Sequence, residues 1–170
     1  PAIVFDSYSQ MKKAVEDENL NVTPNHVMVF RNAGPVGGPG MPEWGMLPIP
    51  KKLVKQGVRD MLRISDARMS GTSYGACILH VSPEAFIGGP LALIKTGDLI
   101  EVNIPERKLN VLLSEEELDK RKLNWVKPNL PTTRGYEWMS SRHIMQADKG
   151  CDFDFLESSF GKSAKEPDIF

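Results

Sequence analysis

With 170 residues, 41% of them hydrophobic and 25% charged, the sequence has the make-up of one globular domain, long enough to bury about 70% of its unfolded surface. A net charge of -1 gives no electrostatic argument for nucleic acid or an anionic membrane, and no apolar stretch approaches the roughly 20 residues that cross a bilayer. The two cysteines, Cys77 and Cys151, lie far apart without a CxxC partner, which excludes a disulfide framework, a structural zinc site and a complete set of iron–sulfur ligands from this chain alone.

The opening Pro1-Ala2-Ile3-Val4-Phe5-Asp6 lacks a basic segment followed by a long apolar core, so a cytoplasmic or organelle-matrix location is expected. A first residue other than methionine fits processing or a fragment of a longer protein. Ala2 to Phe5 predicts a short strand. Asp6 or Ser7 then caps a helix to about Asp17, with Met11, Ala14 and Val15 on one face. His26 to Phe30 is too apolar for an exposed edge and predicts a central strand.

Residues 32–45, from Asn32 to Gly45, alternate glycine and proline so densely that neither helix nor strand can continue. The segment ends in Met41, Pro42, Glu43 and Trp44 rather than in the polar residues of a linker. It predicts an ordered functional loop whose glycines permit close approach of a ligand. Pro48 to Gln56 predicts a short helix stopped by Gly57.

Met61 to Ile64 predicts a buried strand, and Ala76 to Val81 another, with Cys77 a buried small hydrophobe and His80 a satisfied core histidine. Between them runs Ser65-Asp66-Ala67-Arg68-Met69-Ser70-Gly71-Thr72-Ser73-Tyr74-Gly75, a loop of charged, hydroxyl and glycine residues. Ser82 to Ala85 predicts a helical turn broken at Gly88-Gly89-Pro90. Ile100, Val102 and Ile104 pair through a turn with Leu109, Val111 and Leu113 as a hairpin. Ser114 to Glu117 forms a capping box opening a helix to about Lys122. After an extended stretch around Trp125 and Pro128, a second helix is expected from Arg134 to Ala147, with Trp138, Ile144 and Met145 as its apolar stripe. The division expected is therefore a domain over 1–122 and a C-terminal arm over 123–170, packed on the domain or a partner and frayed from Ser158.

Two residues carry chemical interest. Ser70 becomes a useful base only if backbone N–H groups or a metal stabilise its alkoxide, and Gly71 suits the turn that would aim such groups. Glu43 offers a hard oxygen to Mg2+, equally compatible with an exposed loop carboxylate. The glycine-rich loop contains neither GxxxxGK[ST] nor GxGxxG, so a nucleotide cradle has little support.

Taken together, the segment from Gly34 to Glu43, the segment from Ser65 to Thr72, His80-Val81-Ser82-Pro83-Glu84-Ala85, Gly88-Gly89-Pro90 and Gly97-Asp98-Leu99-Ile100 resemble the dihydroxy-acid and sugar-acid dehydratase family over residues 1 to about 122. The resemblance is to the C-terminal part of those enzymes. It implies a β-rich α/β fold, a swivelling β-barrel-like domain with short flanking helices that resembles the mobile domain of aconitases. It also implies dehydration of a 2,3-dihydroxy acid, with Ser70 as base and Glu43 as an Mg2+ ligand. An iron–sulfur cluster and the remaining Mg2+ ligands would belong to an N-terminal dehydratase domain, and a homo-oligomer is expected. The loop reading Asp66-Ala67-Arg68-Met69-Ser70-Gly71-Thr72-Ser73, with the stretch from Ala147 to Leu156, looks more like the pentonate-type sugar-acid members than the branched-chain ones. It leaves open whether Thr72 or Ser73 meets the substrate and assigns Asp66 and Arg68 to loop shaping. The alternatives are a dihydroxy-acid dehydratase of branched-chain amino-acid synthesis and a stand-alone swivelling domain without catalysis.

Overall fold

Four short strands stand side by side in chain order and all run the same way: β1 (Ala2–Phe5), β2 (Val27–Phe30), β3 (Arg63–Ser65) and β4 (Cys77–Ile78). The computed structural model describes residues 1–130 and 132–156. β2 is buried at every position, as a parallel strand covered on both faces requires. Side chains alternate between two cores. Ile3, Phe5, Met28 and Phe30 pack with Met11 and Val15 of α1 (Tyr8–Glu16) and Leu53 of α2 (Lys51–Lys55). Ala2, Val27, Val29 and Ile64 pack with Ala85, Leu91 and Ile94 on the other side.

Local signals set several boundaries. The Ser7 hydroxyl accepts from the Gln10 N–H and starts α1. The Ser114 hydroxyl accepts from the Glu117 N–H and starts α3 (Glu115–Leu123), although the Glu117 carboxylate turns to Arg121 instead of completing the reciprocal half of the box. The expected hairpin forms as β5 (Ile100–Asn103) and β6 (Lys108–Val111), in register Ile100 with Val111 and Val102 with Leu109. The architecture is mixed α/β, and no strand pairing among the described residues closes either sheet into a barrel.

Three expectations need correction. The strand expected over Ala76 to Val81 pairs only at Cys77 and Ile78, both half-buried. Beyond them the chain bends, with the His80 N–H reaching Ala67 O (3.2 Å) and the Val81 N–H reaching Ser65 O (3.2 Å). His80 is accordingly exposed, at a φ of +53°, and is no core residue. The third strand, by contrast, is buried as expected and takes a charge with it. Its Arg63 is buried to 1% exposure, with the guanidinium donating to Met61 O, Leu47 O and Asp60. The last helix, α4 (Gly135–His143), stops before Ile144, leaves Trp138 37% exposed and buries Ser140 and Ser141, so the proposed apolar stripe does not exist.

The described residues of 124–156 touch the rest of the chain at definite points. Trp125 lies against Gly88, and the Ser82 hydroxyl donates to Asp148 at 2.6 Å. Ile144 bridges to Phe153. The tail expected to fray from Ser158 lies outside the described residues.

Candidate active site

A parallel sheet in register brings the carboxyl ends of its strands to one edge, the usual place for ligand sites in open α/β sheets. The Gly/Pro loop leaves that edge after β2 and the serine loop leaves it after β3. The two segments singled out in the sequence are thus neighbours because their strands are neighbours.

Asp66, the first residue after β3, turns inward and is fully buried. Its Oδ1 accepts from the Ala33 N–H (3.1 Å), and its Oδ2 accepts from the Asn32 (3.1 Å) and Ala85 (2.9 Å) N–H groups. One carboxylate therefore joins three separate segments. Burial pushes its pKa above the ordinary 3.8, the negative Glu84 nearby adds to this, and the three N–H donors only partly offset it.

Glu84, present in a family motif but expected to play no part of its own, is a second buried carboxylate. It is fully enclosed. Its Oε1 accepts from the Val36 N–H (2.8 Å) and from Gln146 Nε2 (2.7 Å), and its Oε2 accepts from the Gly37 N–H (2.8 Å). Gln146 Oε1 in turn accepts from the Glu84 N–H at 2.8 Å. The Gly/Pro loop is thus wrapped around an internal anion. The missing side chains have a reason: a Cβ on Gly34 would stand 2.7 Å from Glu84 Oε2, and one on Gly37 would stand 2.8 Å from the Cβ of Phe86. An acid set between Pro83 and the apolar Ala85-Phe86 was the one local hint of burial. Nothing local marked Gln146.

Arg68 joins the two loops directly. Its Nε donates to Met41 O, its Nη1 pairs with Glu43 Oε1 at 2.8 Å, and its own carbonyl accepts from the Gly45 N–H at 2.7 Å. Glu43 is exposed, with its second oxygen unpaired among the described residues. Ser70 is half-buried. Its Oγ lies 3.0 Å from the Thr72 hydroxyl and accepts from the Thr72 N–H at 3.3 Å, while its carbonyl accepts from the Ser73 N–H at 3.0 Å. The turn so formed points the Thr72 N–H at Oγ and sets the Thr72 hydroxyl beside it; either hydroxyl can donate to the other, and only the threonine can donate once Oγ is ionised. The donor is Thr72 rather than Gly71. Gly71 itself borders open space, with nothing within 4 Å of where a Cβ would be. Ser73 contributes its backbone to the turn.

The chain does not by itself fit either cofactor that the resemblance implies. Among the described residues no three His, Cys, Asp or Glu side chains converge on a metal position. Glu43 is one carboxylate, already facing an arginine. Cys77 and Cys151 are both half-buried free thiols, and burial raises their pKa, the reverse of what a thiolate ligand needs.

The profile of the family described as "Dihydroxy-acid/6-phosphogluconate dehydratase C-terminal" matches residues 1–151. The chain is 50% identical over 169 residues to a 6-deoxy-6-sulfo-D-gluconate dehydratase of Pseudomonas putida, covering 99% of this chain and 29% of that protein. It is 48% identical over 164 residues to an L-arabinonate dehydratase of Rhizobium leguminosarum bv. trifolii, covering 95% of this chain and 28% of the relative. A dihydroxy-acid dehydratase of Caldanaerobacter subterraneus is 43% identical over 154 residues, 90% of this chain and 27% of that protein. The likeness thus runs past the limit near residue 122 read from the motifs and takes in α4. The chain spans less than a third of the length of these relatives, and it belongs to the dihydroxy-acid/6-phosphogluconate dehydratase family, as a C-terminal domain.

Proposed function

We propose that this chain is the C-terminal domain of a hydro-lyase that converts a sugar acid, an aldonate, to its 2-keto-3-deoxy acid. In that reading Ser70 Oγ, as its alkoxide, takes the proton from C2 and the C3–O bond breaks. The departing hydroxide takes up that proton and leaves as water, and the resulting enol rearranges to the ketone. The observation that carries it is the Ser70 turn. A serine without a histidine partner needs donors aimed at its oxygen, and the Thr72 N–H and hydroxyl lie 3.3 and 3.0 Å away. Thr72 is therefore the hydroxyl we place beside the reacting carbon, with Ser73 and Gly71 shaping the turn. Asp66 and Arg68 hold the loop in place.

Glu43 is proposed as the one carboxylate this domain offers to Mg2+. The cluster and the other ligands would lie in an N-terminal domain. A swivelling domain like the mobile domain of aconitases remains the proposed setting, since it would let this edge close on that partner, and a homo-oligomer the proposed assembly. The sugar-acid reading over the branched-chain alternative is supported by identities of 50% over 99% of this chain and 48% over 95% of it to sugar-acid dehydratases, against 43% over 90% and 47% over 79% to dihydroxy-acid enzymes.

In the full-length protein carrying this chain, Ser70→Ala should slow exchange of the C2 proton of an aldonate with solvent by at least about 100-fold, a typical loss for a positioned base. Undiminished exchange would remove Ser70 from the base role. Faster turnover of a branched 2,3-dihydroxy acid than of any aldonate would replace the sugar-acid reading with its alternative.

A further inference from the structure

We infer that Glu84 is a positioning residue for this site: its buried carboxylate is the built-in anion that shapes the Gly/Pro loop and sets where Glu43 is presented. The inference rests on the preceding reading only for the identity of the reaction. The loop-shaping itself is a property of the chain.

Consecutive backbone N–H groups that converge, like those of Val36 and Gly37, form a concavity that attracts an anion. Here the anion is a side chain of the same molecule. Glu84 is wholly buried, and no cation lies among its hydrogen-bond partners in the described residues, where N–H donors meet both oxygens and make its burial tolerable. The loop is tied down in series. Asp66 holds Asn32 and Ala33, Glu84 holds Val36 and Gly37, and Arg68 holds Met41, Glu43 and Gly45. Between the outer two anchors, the loop's described hydrogen bonds to the rest of the protein are those to Glu84. The others there, Gly38 to Gly34 and Met41 to Gly38, stay within the loop. Gly34 and Gly37 leave no room for a Cβ on this path, so the loop's glycines serve its approach to Glu84 and Phe86.

Gln146 completes the device. Its amide donates to Glu84 Oε1 and accepts from the Glu84 N–H, so it fixes the carboxylate from both sides. Through it the stretch after α4 reaches the loop that bears Glu43. Sequence reading gave this stretch no part in the site.

The test is anion rescue. In the 170-residue chain carrying Glu84→Ala, the Val36 and Gly37 amides should exchange with solvent at least about tenfold faster than in the parent. Excess acetate should restore their protection, and chloride at equal ionic strength should not. Unchanged exchange, or equal restoration by chloride, would overturn the inference. Should Glu84→Ala fail to fold, the yield of refolding in acetate against chloride gives the same reading, and a yield that acetate does not raise overturns it. Glu84→Gln keeps the volume but turns an N–H donor toward the loop's own N–H groups. It should loosen the same amides without rescue by acetate, and parent-like protection in that variant would also defeat the inference. In the full-length enzyme, acetate should restore kcat to Glu84→Ala but not to Ser70→Ala. Full activity in Ser70→Ala would discard the serine assignment and leave the Glu84 rescue standing.

Discussion

At the carboxyl edge of the parallel sheet, Asp66 and Glu84 are buried against N–H groups, and no cation among the described residues is bonded to either. Near α3 another loop is also held by an acid, but there Asp98 faces Arg121, which contacts both its oxygens and reaches Leu93 O at 2.8 Å. Asp98 also accepts from the Lys95 N–H at 2.7 Å. The two regions neutralise their carboxylates differently. A backbone N–H cannot rotate away as an arginine can, so the first region fixes geometry more rigidly. It does so at the expense of leaving several donors stranded if the acid is lost. The second is a latch whose partners can return to water. The rigid device sits beside the proposed chemistry and the latch beside the hairpin.

The largest expected effect follows from breaking the first region. Asp66→Ala leaves three N–H groups without their acceptor, each worth about 1–3 kcal/mol. Urea unfolding should show a loss of about 3 kcal/mol or more. A loss under about 1 kcal/mol would mean that water reaches these groups, and the contrast with Asp98 would collapse.

Asp98→Ala should lose less, about 2 kcal/mol, the scale of a charge-assisted hydrogen bond. Solution pH sharpens the comparison because the two acids shift oppositely. Burial tends to raise the Asp98 pKa, but the Arg121 hydrogen bonds and charge together with the Lys95 N–H outweigh it and hold it below the ordinary 3.8. Its contribution is therefore complete above 3.8 and is lost as pH falls through the folded value. Asp66 has a raised folded pKa. Its contribution is largest below 3.8 and declines as pH rises toward the folded value. Carboxyl carbon NMR of the chain should find Asp98 titrating below 3.8 and Asp66 above it. The reverse order would refute the distinction. The smallest effect belongs to Arg68→Ala, whose pair with Glu43 is 42% and 47% exposed. It should cost under about 1 kcal/mol of stability in the same urea titration.

What was legible in the sequence was local. The apolar strands β1 and β2, the Ser7 and Ser114 caps and the β5–β6 hairpin each depend on residues within a few positions of one another, so pattern and turn chemistry suffice. What failed was non-local. Glu84 is buried because Val36, 48 residues earlier, and Gln146, 62 residues later, both aim N–H groups at it. Arg63 is buried because Leu47, 16 residues earlier, offers a carbonyl that adds to the nearby Met61 carbonyl and Asp60 carboxylate. The apolar run around His80 bent out of the sheet to bond Ala67 and Ser65, which apolar periodicity does not report. For the candidate site, the two motif segments were visible, while the Arg68 link between them depends on the packing of β2 beside β3.

The Glu84 arrangement has a consequence for how the loop responds to its surroundings. An anion that came from solution would fill the Val36–Gly37 cradle only in proportion to its concentration, and the loop would order and loosen as that level rose and fell. A carboxylate tethered to the same chain presents itself at an effective concentration that no solute matches. The shape of this loop is thereby uncoupled from the solutes around it, and any acidic molecule arriving at the edge of the sheet finds that cradle already filled.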